Sequence, residues 1–243
     1  MILRTVEQAE LDVRTLSDEA TGTVNVGLAH SVMQAMALPL MQSARRDCPG
    51  VTLHLVEGLS GVLFDSLVAG RLDLALVYNP PSDSRIESRP VVEEDLICVG
   101  TEEIVGPPGR PISFAEVTEL PLLLPSQGYA TRALIENHAL RSKLQFRAPL
   151  QIDSLTAMDQ ALPAGMGCSV LAHVTVRRLL AEGLVCSRPI VDPPISRSLH
   201  FVMPRNKPQT RSITVMRQLM LAAAAGEIAA GRWQARFIDD TDL

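Results

Sequence analysis

Four serine residues could contact a small anion, because each lies where an apolar strand gives way to a helix. They are Ser31, Ser60, Ser126 and Ser154. A hydroxyl group beside the free backbone N–H groups of a helix start suits a carboxylate, sulfate or phosphate. Any one of these serines taken alone is better explained as the N-cap of its own helix. Because the same residue type recurs at four equivalent places, the pattern favours a shared ligand-binding cleft.

The residues around these serines do not form a recognisable catalytic site. The segment Gly58-Leu59-Ser60-Gly61-Val62 is the nearest match to a nucleophile elbow, but it lacks the second glycine in register. Nucleophilic catalysis also needs a base and an orienting acid, whereas the histidines lie in patterns typical of packed or surface residues. We therefore predict no catalytic residues.

The four cysteines do not have the spacing of a metal or disulfide site. They are Cys48, Cys98, Cys168 and Cys186. No C-x-x-C pair accompanies them, so we predict small buried side chains in a reducing compartment. The run Gly165-Met166-Gly167 lacks the third glycine of a dinucleotide fingerprint. The sequence thus predicts neither a metal nor a cofactor.

The bulk composition predicts a globular protein. Of the 243 residues, 47% are hydrophobic and 20% are charged, which is ample for a core. The net charge of −5 and the pI near 5.6 argue against a nucleic-acid interface on these residues, since lysine and arginine are scattered. The sequence shows no signal peptide and no apolar run of membrane-spanning length, so we expect a soluble cytoplasmic protein with no membrane partner.

The elements that must position the serines are alternating strands and helices. The pattern is clearest from Val51 to Tyr78, where an alternating strand, a turn, an amphipathic helix and a buried strand follow one another. Such alternation predicts a mostly parallel sheet covered on both faces. A helical region from Ser31 is expected to form two pieces, because Pro39 lacks a backbone donor.

A second series of strands and helices predicts two α/β lobes. Lobe I is expected to comprise residues 21–92 with 199–226, and lobe II residues 93–198. Residues 1–20 carry apolar side chains at alternating spacings of four and three, which predicts a linker or dimerisation helix. Residues 227–243 are expected to be a solvated or partly frayed tail.

Several motifs resemble the effector-binding domain of LysR-type transcriptional regulators, over roughly residues 1–225. In the first half they are Gly22-Thr23-Val24-Asn25-Val26-Gly27, Leu38-Pro39, Cys48-Pro49-Gly50-Val51, Glu57-Gly58-Leu59-Ser60 and Ala69-Gly70-Arg71-Leu72-Asp73-Leu74-Ala75-Leu76. In the second half they are Glu94-Asp95-Leu96, Leu122-Leu123-Leu124-Pro125-Ser126, Asp153-Ser154-Leu155, Ala164-Gly165-Met166-Gly167 and Pro189 to Pro194. The stretch from Glu94 to Thr101 is similar to the nitrogen-assimilation-control branch of that family.

Two features depart from the family pattern. Pro163 falls where the family usually continues a helix, so that helix is expected to be short. No segment of the sequence resembles the family's N-terminal winged helix-turn-helix, and DNA binding is therefore assigned to no residue here.

The resemblance implies a periplasmic-binding-protein-like fold of type 2. In that α/β fold, two Rossmann-like lobes joined by two crossover strands hold an effector between them and follow a linker helix. The implied ligand-binding residues are Ser31, Ser60, Gly61, Ser126, Gln127, Gly128 and Ser154, and the implied hinge residues are Glu93, Glu94 and Ser198. The implied partners are a small effector such as a carboxylate or other anion, further copies of the chain in a homodimer or homotetramer, and DNA through an N-terminal domain.

Three function classes remain open at this point. The leading hypothesis is a non-enzymatic sensor, in which effector binding changes the arrangement of lobes and subunits and so changes transcription. The alternative is an assembly module without a physiological inducer. An enzyme on the same bilobal fold is the weakest, because the sequence lacks an acid-base-nucleophile set.

Overall fold

The computed structural model describes residues 20–127 and 129–238. The first strands and helices are β1 (Gly22–Ala29), α1 (His30–Asp47), β2 (Val51–Gly58), α2 (Ser60–Val68), β3 (Leu74–Tyr78) and β4 (Ile86–Gly100). They are followed by α3 (Glu102–Val105), β5 (Ile112–Ser113), α4 (Phe114–Glu119), β6 (Leu123–Leu124), α5 (Ala130–Arg141), β7 (Leu150–Gln151), α6 (Leu155–Ala161), β8 (Ser169–Ala172), α7 (His173–Ala181) and β9 (Cys186–Val191). The last are β10 (Ser196–Pro204), α8 (Arg211–Ala229) and β11 (Arg236–Phe237).

The described residues form two compact units. Unit 1 contains residues 20–91 and 200–232, and unit 2 contains residues 92–199 and 233–238, except for residue 128. The chain passes from unit 1 to unit 2 within β4 and returns within β10. The helix predicted for residues 1–20 lies almost wholly outside the described residues, as does the predicted ligand contact at Gly128.

Unit 1 is built on parallel strands. β1 pairs with β2 along its whole length, from Gly22 opposite Val51 to Ala29 opposite Gly58, and pairs in parallel with β3 on its other side. All five residues of β3 are buried, as expected for a central parallel strand covered on both faces. Since neighbouring parallel strands end at the same edge of a sheet, the residues that follow β1 and β2 lie close together at that edge.

The predicted break at Pro39 is wrong, because α1 is one helix with Pro39 inside it. An internal proline removes one backbone hydrogen bond. The buried residues of α1 lie on both sides of the proline, from Val32 to Ala44. Packing of this continuous apolar face outweighs the local cost of the proline.

Unit 2 has a mixed sheet, which departs from the predicted mostly parallel one. β4 pairs antiparallel with both β8 and β9, while β9 pairs in parallel with β5. A separate parallel pair, β6 with β7, carries the loops that follow Leu124 and Gln151. One apolar cluster of this unit is centred on Val99, Leu123 and Leu162.

Residues 227–238 do not form the solvated tail that the sequence predicted. Helix α8 continues to Ala229, and Trp233 is only 1% exposed. The next residues, Arg236 and Phe237, pair with β4 as an antiparallel strand. The only tryptophan of the chain could have indicated a packed segment here, because a side chain of this size contributes most to stability when it is buried. In residues 20–127 and 129–238, no helix has the length and apolar character needed to cross a membrane.

Candidate functional site

In unit 1, the carboxyl ends of β1 and β2 bring together two of the predicted ligand residues. Ser31 is the second residue of α1, and Ser60 is the first residue of α2. Both hydroxyl groups contact Tyr78, the last residue of β3. The Ser31 Oγ donates to the Tyr78 hydroxyl at 3.1 Å, and the backbone N–H of Tyr78 donates to the Ser60 Oγ at 3.0 Å.

Neither of these two serines caps its helix. The N-cap residues are Ala29 and Leu59, and neither makes a side-chain capping bond. The capping interpretation is therefore wrong for Ser31 and Ser60. A Cβ placed on the neighbouring Gly61 would meet nothing within 4 Å, so this start of α2 faces open space.

A histidine and a glutamate form a close polar pair at the same edge. His30 Nδ1 lies 2.7 Å from Glu57 Oε1, and both side chains are partly exposed. Their contact follows from the parallel register, since His30 directly follows β1 and Glu57 is the penultimate residue of β2. Sequence reasoning missed this pair, although the register of two parallel strands could have indicated it.

In unit 2, the ends of β6 and β7 bring Ser126 and Ser154 close together. Asp153 accepts two hydrogen bonds from Ser126, one from its backbone N–H at 2.7 Å and one from its hydroxyl at 2.8 Å. The Tyr129 hydroxyl donates to the Asp153 carbonyl at 2.9 Å. Asp153 thus organises the loop that contains the exposed Gln127.

Ser154 does cap its helix. Its side chain accepts a hydrogen bond from the backbone N–H of Ala157 at 3.2 Å, in the first turn of α6. The capping interpretation is thus correct for Ser154, and a role in ligand binding would have to be additional to it. Helix α6 ends at Ala161, before Pro163.

A buried ion pair lies on the strands that connect the units. Two guanidinium N–H groups of Arg197 donate to Glu94 Oε2 at 2.8 and 2.6 Å, and Trp233 Nε1 donates to Glu94 Oε1 at 2.8 Å. Glu94 is fully buried. Of the other two predicted hinge residues, Glu93 pairs with Arg236 at 3.3 Å, and Ser198 lies in β10. Sequence reasoning found Glu94 but missed Arg197 and Trp233.

Two nitrogen atoms in unit 2 are buried without a hydrogen-bond partner among the described residues. One is Nη1 of Arg132, in the first turn of α5, and the other is Nδ1 of His173, at the start of α7. The Arg132 side chain is 11% exposed and donates from Nε to Glu136 at 2.6 Å. Burial lowers the pKa of His173, so this imidazole is neutral near pH 7. Neither residue was predicted as part of a site.

The cysteines lie where thiol chemistry is suppressed. Cys98 and Cys168 are fully buried, and all four cysteines are free thiols. A hydrogen bond with Cys168, together with burial, raises the pKa of the Cys98 thiol, so it stays protonated at neutral pH and is a poor nucleophile. In the part of the chain that the structure describes, no cluster of three or more potential ligands could hold a metal ion.

Comparison with known proteins agrees with this arrangement. Residues 17–225 match the LysR substrate binding domain family. The chain belongs to this family. The nitrogen assimilation regulatory protein nac of Klebsiella aerogenes is 31% identical over 222 residues, which cover 91% of this chain and 72% of that protein. The nac protein of Escherichia coli is 26% identical over 96% of this chain and 76% of its own length.

Solved LysR-type regulatory domains share the fold. The Synechocystis CcmR regulatory domain, in complex with 2-PG, superimposes with a TM-score of 0.74 at 19% identity, covering 84% of this chain and 98% of that one. The effector binding domain of QuiR, in complex with shikimate, has a TM-score of 0.73 at 18% identity, covering 85% of this chain and 98% of that one.

These findings confirm the LysR resemblance and the predicted fold class, a periplasmic-binding-protein-like α/β fold of type 2. This chain is thus a LysR-type effector-binding domain, and its relatives are transcriptional regulators. The ligand-binding and hinge residues inferred from the sequence stay predictions.

Proposed function

We propose that this LysR-type domain senses a small anionic metabolite with hydroxyl and cationic groups at the carboxyl edges of its strands. The observation that carries the proposal is the pair Ser31 and Ser60. Both hydroxyls lie at helix starts but cap neither helix, and both are instead held by Tyr78. A hydroxyl held in place next to the free N–H groups of a helix start is suited to a carboxylate or phosphate.

Unit 2 offers a matching set of groups. Ser126 and Ser154 are placed by Asp153 and by the start of α6, as described above. Arg132 contributes a buried guanidinium N–H without an acceptor among the described residues. Leaving such a donor unpaired is costly, and an anionic ligand would supply the acceptor.

The ligands of related domains support this ligand class. The CcmR domain was solved with 2-PG and the QuiR domain with shikimate. Shikimate carries a carboxylate and several hydroxyl groups, which hydroxyl-rich sites recognise by hydrogen bonding. An effector would regulate transcription only if it bound two arrangements of the domain unequally. We assign the conformational change that converts one arrangement of the domain into the other to the hinge residues Glu93, Glu94 and Ser198. These residues lie on β4 and β10, the strands along which the chain passes from one unit to the other.

The substitution Ser154→Asp tests the site without disrupting the fold. Aspartate is as good an N-cap as serine, so α6 keeps its cap. The added negative charge would repel an anion, and we expect at least about a tenfold loss of affinity, equivalent to about 1.4 kcal/mol. The measurement is a thermal-shift and calorimetric panel of small carboxylates, phosphate esters and inorganic anions, first on the unaltered chain and then on the variant.

The matched control is Ser154→Ala. It removes the cap and lowers stability by about 1 kcal/mol, but adds no charge, so it is expected to affect ligand affinity much less than the aspartate. Ser60→Ala and Arg132→Met extend the test to the other groups. If Ser154→Asp, Ser60→Ala and Arg132→Met all bind a ligand of the panel as tightly as the unaltered chain, the assignment of these groups to ligand binding is wrong.

An assembly module without an inducer is the second candidate, because α1 carries an exposed apolar pair. Leu38 and Met41 are 62% and 46% exposed, and a spacing of three residues places them on one side of the helix. Exposed apolar clusters mark interaction surfaces. For this candidate we commit to a second copy of the same chain as the partner, since the family resemblance implies a homodimer or homotetramer.

Mass in solution separates this candidate from the first. Light scattering of the full chain, of a chain lacking residues 1–20, and of Leu38→Glu with Met41→Glu would show which segment supports self-association. If the two glutamates leave the mass unchanged, α1 does not mediate assembly. If no ligand of the panel binds while the dimer persists, the assembly function is favoured over sensing.

A further inference from the structure

We propose that unit 1 holds a second small-anion site, at the edge of its sheet opposite to Ser31 and Ser60. A cavity of about 280 Å³ lies there, at the amino ends of β1 and β3 and at the start of α8. The lining residues that matter most are Thr21, Thr23, Asn25, Asp73, Lys207 and Arg211. This amino-edge cavity lies wholly within unit 1, and it is independent of the effector site proposed above.

The polar wall of the cavity follows from strand alternation. Thr21, Thr23 and Asn25 are two residues apart, so their side chains lie on one face of β1 and its approach. The intervening Val24 is buried on the opposite face. The wall therefore presents two threonine hydroxyls to the cavity, and these groups can donate to or accept from a ligand. The Asn25 amide is already engaged, because its nitrogen donates to Asp73 at 3.0 Å and its oxygen lies 2.9 Å from His54 Nδ1.

The one carboxylate that lines the cavity is already neutralised. Asp73 is buried and forms an ion pair with Lys207. Its other oxygen accepts from the backbone N–H of Asn25 at 2.7 Å and from the Asn25 side chain at 3.0 Å. Both oxygens of this carboxylate therefore already have partners within unit 1. It holds Lys207 at the rim of the cavity and does not create a demand for a cation.

Arg211 leaves the cavity with one excess positive charge. This side chain is exposed, and no carboxylate lies within ion-pair distance of it in the described ranges 20–127 and 129–238. The first turn of α8 contains no acidic residue that would offset either Arg211 or the partial positive charge of the helix start. With Lys207 opposed by Asp73, the charge that remains uncompensated around the cavity is that of Arg211.

Size and charge together define the class of ligand. A volume of about 280 Å³ corresponds to roughly nine water molecules of about 30 Å³ each, which is ample room for a small carboxylate or phosphate. Threonine hydroxyl donors with an uncompensated guanidinium favour a small carboxylate or phosphate. Such an anion would lie against Thr21, where the chain enters β1, and would stabilise unit 1 by mass action.

The test uses amide NMR spectra of the full chain, titrated separately with inorganic phosphate and with succinate at constant pH and ionic strength. Saturable shifts are expected for the backbone amides of Thr23, Ser212 and Ile213, which line the cavity. A response to succinate but not to phosphate would identify a carboxylate site, and the reverse a phosphate site. Either response supports the proposal.

Arg211→Gln is the decisive variant. It removes the uncompensated charge and is expected to weaken binding by about tenfold or more, as loss of a charge-assisted hydrogen bond does. Arg217→Gln is the matched control, because it makes the same change on the same helix, about 9 Å further along its axis. Thr23→Val keeps the strand but removes one hydroxyl, and a smaller loss is expected.

Three outcomes would overturn the proposal. The first is the absence of saturable shifts at these amides with either probe. The second is equal weakening by Arg211→Gln and Arg217→Gln, which would indicate diffuse attraction and not a site. The third is loss of the same shifts in Ser154→Asp, which would place the bound anion at the proposed effector site and not in this cavity. Because Ser154 is outside the cavity, this variant also keeps failure of the two proposals distinguishable.

Discussion

Replacing Arg197 with methionine tests whether the buried ion pair with Glu94 stabilises unit 2. Methionine is of similar length but carries no charge, so Arg197→Met removes two hydrogen bonds to Glu94 Oε2, at 2.8 and 2.6 Å. Glu94 is fully buried and the Arg197 side chain is 9% exposed. Removing one partner of such a pair leaves a buried charge poorly compensated, and we expect a cost of about 3–5 kcal/mol.

The assay is urea denaturation followed by fluorescence and by circular dichroism. Trp233 is the only tryptophan and donates to Glu94 at 2.8 Å, so its emission reports directly on this cluster. Arg178→Met is the matched control in the same unit. The Arg178 side chain is 60% exposed and pairs with Glu182, so its loss is expected to cost at most about 1 kcal/mol.

A double variant separates the charge effect from lost packing. Glu94→Gln combined with Arg197→Met removes the buried charge together with its partner, while the amide oxygen can still accept from Trp233. We expect the double variant to be more stable than Arg197→Met alone by about 1 kcal/mol or more. The reasoning is refuted if Arg197→Met costs less than about 1 kcal/mol, or if the double variant loses the sum of the two single losses.

Three further predictions concern stability, each measured by the urea midpoint. Gly167→Ala is expected to destabilise strongly, because a Cβ there would lie 2.4 Å from the Pro121 carbonyl oxygen at a φ of +155°. Gly61→Ala is the control and is expected not to destabilise, because its Cβ would meet nothing within 4 Å and alanine favours the helix more than glycine does. Burial lowers the pKa of His200, so its contribution is complete above about pH 6.5 and is lost as the pH falls through the folded pKa. His200→Gln should reduce the loss of stability that begins as the pH falls below about 6.5. Pro39→Ala should stabilise α1 by up to about 3 kcal/mol, as it restores a backbone donor; an unchanged midpoint would contradict this.

Local sequence signals predicted the elements of this fold well. The strand, amphipathic helix and buried strand expected between Val51 and Tyr78 are found there as β2, α2 and β3. These elements are defined by periodicity and by the residues at their ends. The errors arose where packing outweighs local preference. The break at Pro39 was predicted from its missing backbone donor. The residues around Trp233 were predicted to be solvated because they lie near the end of the sequence.

Contacts at the candidate site were harder to predict, because they join residues distant in sequence. Capping is a local interaction between a residue and the helix that follows it. Ser154 in unit 2 caps its helix, whereas Ser60 in unit 1 does not. The alternative partner of Ser60 is Tyr78, 18 residues away. The partner of Glu94 on β10, Arg197, is 103 residues away. No periodicity relates such positions.

The register of parallel strands does, however, constrain some of these distant contacts. Once β1 and β2 are accepted as parallel neighbours with Ala29 opposite Gly58, the residues just before and after these positions must be close. The pair of His30 and Glu57 follows from that geometry alone. The same logic applies at the opposite edge, where Asp73 precedes β3 and donates its backbone N–H to the Asn25 carbonyl of β1 at 2.8 Å. Topology inferred from sequence can therefore predict which polar residues share a sheet edge. It cannot predict which of their charges are paired with neighbouring side chains, and the chemical class of a ligand depends on the charges that stay unpaired.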